Sequence, residues 1–181
     1  MAKKLDKIIV IDVEATCWNG NPPDGMTSDI IEIGVCLLDV NTGEVTDNRG
    51  IIVTPSRSTV SDFCTELTTI TPEMVTTEGI AFQDALKILK SEYDSQSRIW
   101  ASYGAYDLKQ FQRQCSDLGV GFPFGPSHIN VKSLFAVKHK LPHETGMAGA
   151  LQLLGLPLEG THHRGVDDAR NIAKILYSIL R

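Results

Sequence analysis

Long apolar runs are missing near the start of this 181-residue chain: the one that opens at Ile8 is cut off at Asp12. A membrane span asks for roughly 20 consecutive apolar residues, so neither a span nor a signal-type segment is expected. Cysteine is sparse and unpaired in spacing. Cys17, Cys36, Cys64 and Cys115 form no CxxC step and have no histidine at zinc-ligand distance, which predicts reduced, buried thiols and no disulfide partner. Positive charge is not in excess either. With 17 Lys and Arg against 22 Asp and Glu, the net charge of -5 argues against a broad nonspecific grip on nucleic acid. Carboxylates that hold a metal count as negative in that sum while presenting positive charge to a ligand, so a nucleic-acid substrate is not excluded. Linkers, repeats and low-complexity tracts are absent. An apolar content of 42% over this length suits one well-buried domain over residues 1–181, soluble and cytoplasmic, with no membrane contact.

What is present begins with the stretch from Lys7 to Cys17. The apolar run from Ile8 reads as a central strand covered on both faces, because a doubly covered strand is continuously apolar and does not alternate. Asp12 and Glu14 follow two residues apart, so their side chains share one face at the strand end, where open α/β sheets keep their sites. Two such carboxylates repel unless they take up a proton or a divalent cation, and hard oxygen donors suit Mg²⁺ or Mn²⁺. On its own the Asp-x-Glu step is a weak signal, and a strand running into a solvated acidic turn is the better reading of it.

Residues 18–28 read as a loop, 29–39 as a second strand, and Asn41-Thr42-Gly43 as the turn to a third strand over 49–53. Three antiparallel strands thus open the sheet. Residues 55–71 read as an irregular loop, and Thr71-Pro72 as the cap and first position of a short helix. A helix over 80–93 and a strand over 98–102 bring in a parallel strand, and an apolar stripe at Leu108, Phe111, Cys115 and Leu118 marks the next helix. Asp107 opens that helix. A first-turn acid stabilises the helix dipole, but this one sits four residues before Phe111 and so borders the buried stripe, from which it can point inward. Helices over 131–140, 147–154 and from about 166 to 181 complete the chain.

The last helix follows Gly160-Thr161-His162-His163-Arg164-Gly165-Val166-Asp167-Asp168. Two registers of histidine followed five residues later by aspartate are possible. Asp168 shares the stripe of Ile172, Leu176 and Ile179, whereas Asp167 shares a face with Asn171, Lys174 and Ser178, so Asp168 is the inward acid and Asp167 a solvated first-turn residue. The same spacing makes His163 the inward histidine and His162 its outward neighbour. His128, His139, His143 and His162 are read as surface or internally satisfied histidines.

The ordered set Asp12, Glu14, Asp107, His163 and Asp168 resembles the DEDDh family of 3′→5′ exonucleases, and the resemblance covers nearly the whole chain. It is carried by Asp12-Val13-Glu14-Ala15-Thr16-Cys17, by Ile30-Ile31-Glu32-Ile33-Gly34, by Leu67-Thr68-Thr69-Ile70-Thr71, by Tyr106-Asp107 and by the run from His163 to Ala173. The Glu14-Ala15-Thr16-Cys17 continuation is most similar to the branch that trims histone-mRNA 3′ ends and small RNAs. Thr69 and Asp29 depart from the usual glycine and glutamate. The resemblance implies a ribonuclease-H-like α/β fold, a mixed sheet flanked by helices. It also implies an enzyme that releases nucleoside 5′-monophosphates from the 3′ end of single-stranded nucleic acid, with RNA ahead of DNA. Two divalent cations, Mg²⁺ or Mn²⁺, would be held by Asp12, Glu14 and Asp168, with Asp107 supporting the second and His163 as general base. Ala15, Thr16 and Leu67 would hold the terminal nucleotide. Two other readings are a catalytically silent nucleic-acid-binding module, which the intact five-residue set disfavours, and a metal phosphohydrolase of small nucleotides, for which no phosphate loop is evident.

Overall fold

A computed structural model describes residues 4–181. Five strands form one mixed sheet: β1 (Lys4–Ala15), β2 (Ile30–Asp39), β3 (Val45–Ile52), β4 (Arg98–Ser102) and β5 (His128–Asn130), in the order β3-β2-β1-β4-β5. The first three pair antiparallel, and β4 and β5 add in parallel. β1 is therefore central, as its continuous apolar run predicts. Its two faces pack against different layers. Ile9, Ile11 and Val13 join Trp100 under α3 (Phe82–Glu92) and α4 (Tyr106–Asp117). Ile8 and Val10 join Ala101 under α5 (Val131–Lys138), α6 (Met147–Leu154) and α7 (Gly165–Leu180). Period-two alternation then puts Asp12 and Glu14 on the α7 side of the sheet end.

α7 lies unusually close to the sheet. A Cβ on Gly34 of β2 would sit 1.8 Å from the Gly165 carbonyl oxygen, and one on Gly165 would sit 3.0 Å from the Asp12 carbonyl. Glycine at both points lets the start of α7 rest directly on β1 and β2, and this delivers Asp168 to the same strand end as Asp12. A side chain at either point would have to lift the helix and its acid away.

The fold departs from the sequence reading in three places. Strands β1 and β3 are longer than expected. Residues 55–71 are not wholly irregular: α1 (Asp62–Thr68) forms there, before the expected short helix α2 (Pro72–Thr77). The Ser61 side chain accepts from the Cys64 N–H at 3.0 Å to cap α1, and Thr69 closes it in a left-handed conformation at φ 62°. Threonines at 65 and 68 have weak helix propensity and hide the pattern, although the Ser61 cap was a readable start signal. Finally β5, three residues long, joins the sheet edge where the sequence offers too little for a strand pattern. All four cysteines are free thiols, with Cys36, Cys64 and Cys115 buried. Among the described residues, no helix is long and apolar enough to cross a membrane.

Candidate active site

Asp12, Glu14, Asp107, His162, His163 and Asp168 line one cleft of about 310 Å³, with Tyr103, Tyr106 and Met147 in its walls. A roomier cleft of about 570 Å³, between residues 54–56 and 81–83, contains no ionisable side chain. β1 brings Asp12 and Glu14, the first turn of α4 brings Asp107, and α7 brings Asp168. One carboxylate oxygen from each of Asp12, Glu14 and Asp168 lies within 4.8 Å of the others. Asp107 is 3% exposed and its Oδ1 accepts from the Val13 N–H at 2.9 Å, so the α4 acid is tied directly to the strand between the first two carboxylates. It points inward, as its place beside the Phe111 stripe predicts.

The four acids of this cleft are each pushed toward their protonated form. Burial pushes Asp12 well above the usual carboxylate range, with Asp107, Glu14 and Asp168 adding repulsion. Burial and the Asp168 charge raise Glu14 to about 8. Burial lifts Asp107 to about 6 against the opposing Val13 hydrogen bond, and Asp168 is raised by burial too. Clustered hard oxygens that resist ionisation fit a divalent cation of the Mg²⁺ or Mn²⁺ type, since the cation supplies the charge they lack.

This predicts an inverted pH dependence of stability for chelated protein. Groups raised from about 4 in the unfolded chain hold protons in the fold that the unfolded chain has already lost, so their contribution is full below pH 4 and disappears as pH rises toward 8. In EDTA the melting temperature is expected to fall between pH 5 and pH 8, and Mg²⁺ or Mn²⁺ is expected to raise it most at the upper end. A metal-induced shift of equal size at both pH values would contradict this account of the cluster.

The loop before α7 differs from its sequence reading. Asp168 Oδ2 accepts from the His163 backbone N–H at 2.9 Å, and His162 Nδ1 lies 3.0 Å from the same oxygen. His162 is thus not simply the outward neighbour: its side chain is 40% exposed but bonded to the inward acid. The two imidazoles stack at 4.0 Å between centroids and 16° between planes. Local phase could not show this, because His163 takes a left-handed conformation at φ 65° that turns the chain between the two rings. Burial and then the His162 neighbour lower the His163 pKa, which favours its neutral form. Asp167 is also not a solvated residue. Its Oδ2 accepts from the Thr161 N–H at 2.9 Å and its Oδ1 from Arg170 at 3.0 Å, which braces the loop from outside. His128 is internally satisfied, 2.9 Å from the Ser102 hydroxyl.

Ala15, Thr16 and Leu67 lie outside the lining of the carboxylate cleft. Thr16 is buried; its Oγ1 accepts from the Asp29 N–H at 2.9 Å and shares a 2.7 Å hydrogen bond with Ser58. Asp29, the shorter acid noted in the sequence, is fully buried and held by the Ser56 and Arg57 N–H groups at 2.8 and 2.6 Å. Thr16 lines an adjoining cleft of about 500 Å³ together with Trp18, Gln110 and Arg113. Tyr106, 57% exposed, lines both clefts. Leu67 is 38% exposed on α1, and Phe63, one turn earlier on the same helix, is 38% exposed as well. The sequence reading gave neither aromatic ring a role, although Tyr106 stands immediately before an inward acid in one of the motifs that carry the resemblance.

Comparison with known proteins agrees with this geometry. Residues 9–176 match the family model described as Exonuclease (RNase_T). The human 3′-5′ exoribonuclease 1 is 33% identical over 97% of this chain, and this chain spans 53% of that protein, about half its length. The 3′-5′ exonuclease eri1 of Schizosaccharomyces pombe is 28% identical over 95% of this chain and 67% of its own. Among solved structures, the nuclease domain of 3′hExo, a DEDDh family member, bound to rAMP, superposes with a TM-score of 0.87 at 32% identity, covering 99% of this chain and 94% of that one. The ribonuclease-H-like mixed sheet is common to this chain and to that exonuclease domain.

Proposed function

Because the chain belongs to the exonuclease (RNase_T) family, we propose that residues 1–181 act as one metal-dependent 3′→5′ exonuclease domain that releases nucleoside 5′-monophosphates from single-stranded nucleic acid. The observation that carries this reading is the convergence of the Asp12, Glu14 and Asp168 oxygens within 4.8 Å in a cleft that also holds Asp107 and His163. RNA is the favoured substrate, in line with the exoribonuclease relatives and with the rAMP held by the 3′hExo domain. We read the location as cytoplasmic from the unpaired spacing of the four cysteines, which are free thiols.

When bound, two divalent cations, Mg²⁺ or Mn²⁺, would supply the charge stabilisation that an attacking water and a leaving 3′ oxygen need. Asp12, Glu14 and Asp168 would hold the first, and Asp12 and Asp107 would serve the second. His163 takes the proton of the attacking water on a ring nitrogen, a task that its lowered pKa suits at neutral pH. Leu67 packs on the terminal base, while the strand end at Ala15 and Thr16, held rigid by Asp29 and Ser58, seats the sugar. Tyr106 closes the other side with an exposed ring on which a base can stack.

A site built around a terminus needs a free 3′ hydroxyl. Linear single-stranded RNA is expected to be shortened to a ladder, whereas a circular strand or one ending in a 3′-phosphate resists. Single strands are favoured over blunt duplexes, because unpairing a terminal base costs a few kcal/mol. Efficient cutting of the circle would contradict the exonuclease reading and point to an endonuclease.

A further inference from the structure

Glu32 lies opposite Glu14 in the β1–β2 pair and is fully buried, yet it is no part of the carboxylate set that faces the cleft. Its oxygens are claimed from the far side. Arg164 donates to it twice, Nε to Oε2 at 3.1 Å and Nη2 to Oε1 at 3.2 Å, and the Gly165 N–H adds a third bond to Oε2 at 2.9 Å. Gly50 on β3 leaves the room this carboxylate needs, since a Cβ there would sit 2.5 Å from Oε1. The same guanidinium reaches Thr69, the left-handed cap of α1, through Nη1 at 3.5 Å.

Arg164 directly follows His163, whose φ of 65° is costly for a residue with a side chain and persists only where surrounding contacts over-determine it. The contacts that do so are the His163 N–H bond to Asp168 on one side and the Arg164 and Gly165 bonds to Glu32 on the other. A planar fork gripping a buried carboxylate fixes both direction and distance, which a point charge does not. We propose that Arg164 and Glu32 are positioning residues for the general base: their clamp pins the loop before α7 to β2 and sets where the His163 ring stands over the cleft. The rate consequence rests on the exonuclease reading; the geometric one does not.

The test compares wild type, Arg164→Lys and the double variant Glu32→Gln/Arg164→Met. Five quantities are measured: kcat and KM on single-stranded RNA, Mn²⁺ affinity by calorimetry, melting temperature, and hydrogen exchange of the His163 amide by NMR. Arg164→Lys keeps the charge and loses the fork, so kcat is expected to fall about 10- to 100-fold with KM and Mn²⁺ affinity within about twofold. The His163 amide is expected to exchange about tenfold faster or more. The double variant removes the buried charge altogether, and the amide oxygen introduced in place of the Glu32 carboxylate still accepts from the Gly165 N–H. Its melting temperature therefore returns toward wild type while kcat stays low and exchange stays fast. Recovery of kcat together with stability in the double variant would show a merely structural pair and overturn the proposal. So would wild-type kcat in Arg164→Lys. If the wild type proves inert on RNA, the exonuclease reading fails and the amide decides alone: faster exchange in Arg164→Lys supports the clamp, and unchanged protection overturns it.

Discussion

Asp12→Ala is expected to abolish turnover while leaving the fold intact or firmer. Asp12 sits at the centre of the acidic set, raised by burial and by repulsion from Asp107, Glu14 and Asp168. With one acid removed the others repel less, so the chelated variant melts at or above the temperature of chelated wild type. The same deletion takes away the carboxylate assigned to both cation positions. Loss of a cation that stabilises transition-state charge is worth several kcal/mol, about a thousandfold or more in kcat. The matched measurement is Mg²⁺-induced stabilisation, which shrinks in the variant in proportion to lost binding. A variant that unfolds would make Asp12 a structural residue, and one that turns over normally would remove the metal account.

His163→Ala is expected to lower kcat by roughly 10²- to 10⁴-fold, the span for losing a general base. Because burial lowers the His163 pKa, the rising limb of the wild-type pH–rate profile is expected below the pH at which a solvent-exposed imidazole titrates, and that limb vanishes in His163→Ala. His162→Ala keeps the limb. Its imidazole bonds Asp168 at 3.0 Å, so its loss is expected to appear as a higher requirement for Mg²⁺, about tenfold, and not as a change in pH dependence. Asp168→Asn should be severe and Asp167→Asn mild, because Asp167 braces the loop from outside. Loss of the pH limb in His162→Ala would exchange the two histidines' roles.

The parts of this site that could be read in the sequence are those set by local periodicity. A strand of period two places Asp12 and Glu14 on one face, and a helix of period 3.6 separates Asp168 from Asp167; both relations survive folding because neighbours along an element stay neighbours. The inward aim of Asp107 followed from its spacing to Phe111. What stayed hidden depends on contacts between distant segments or on single backbone angles. Arg164 meets Glu32 across 132 positions of sequence, and no local pattern announces it. The left-handed turn at His163, which brings His162 back onto Asp168, is one φ value in a loop without periodicity. Helix α1 was hidden by its own threonines, whose propensity is overridden by the Ser61 cap and by burial of Cys64 and Thr68. The close approach of α7 to the sheet needed two glycines, Gly34 and Gly165, facing each other from opposite ends of the chain.

Buried carboxylates around a cation, with His163 as base, are expected to remove nucleotides from a 3′ end. The most direct measurement incubates the purified protein with single-stranded RNA labelled in its terminal nucleotides, in Mg²⁺, in Mn²⁺ or in EDTA, and identifies the released product by chromatography. The account predicts labelled nucleoside 5′-monophosphate from the first moments in either metal, with none in EDTA and none from Asp12→Ala. Release at an undiminished rate in EDTA, or a product carrying its phosphate on the 3′ oxygen, would contradict it.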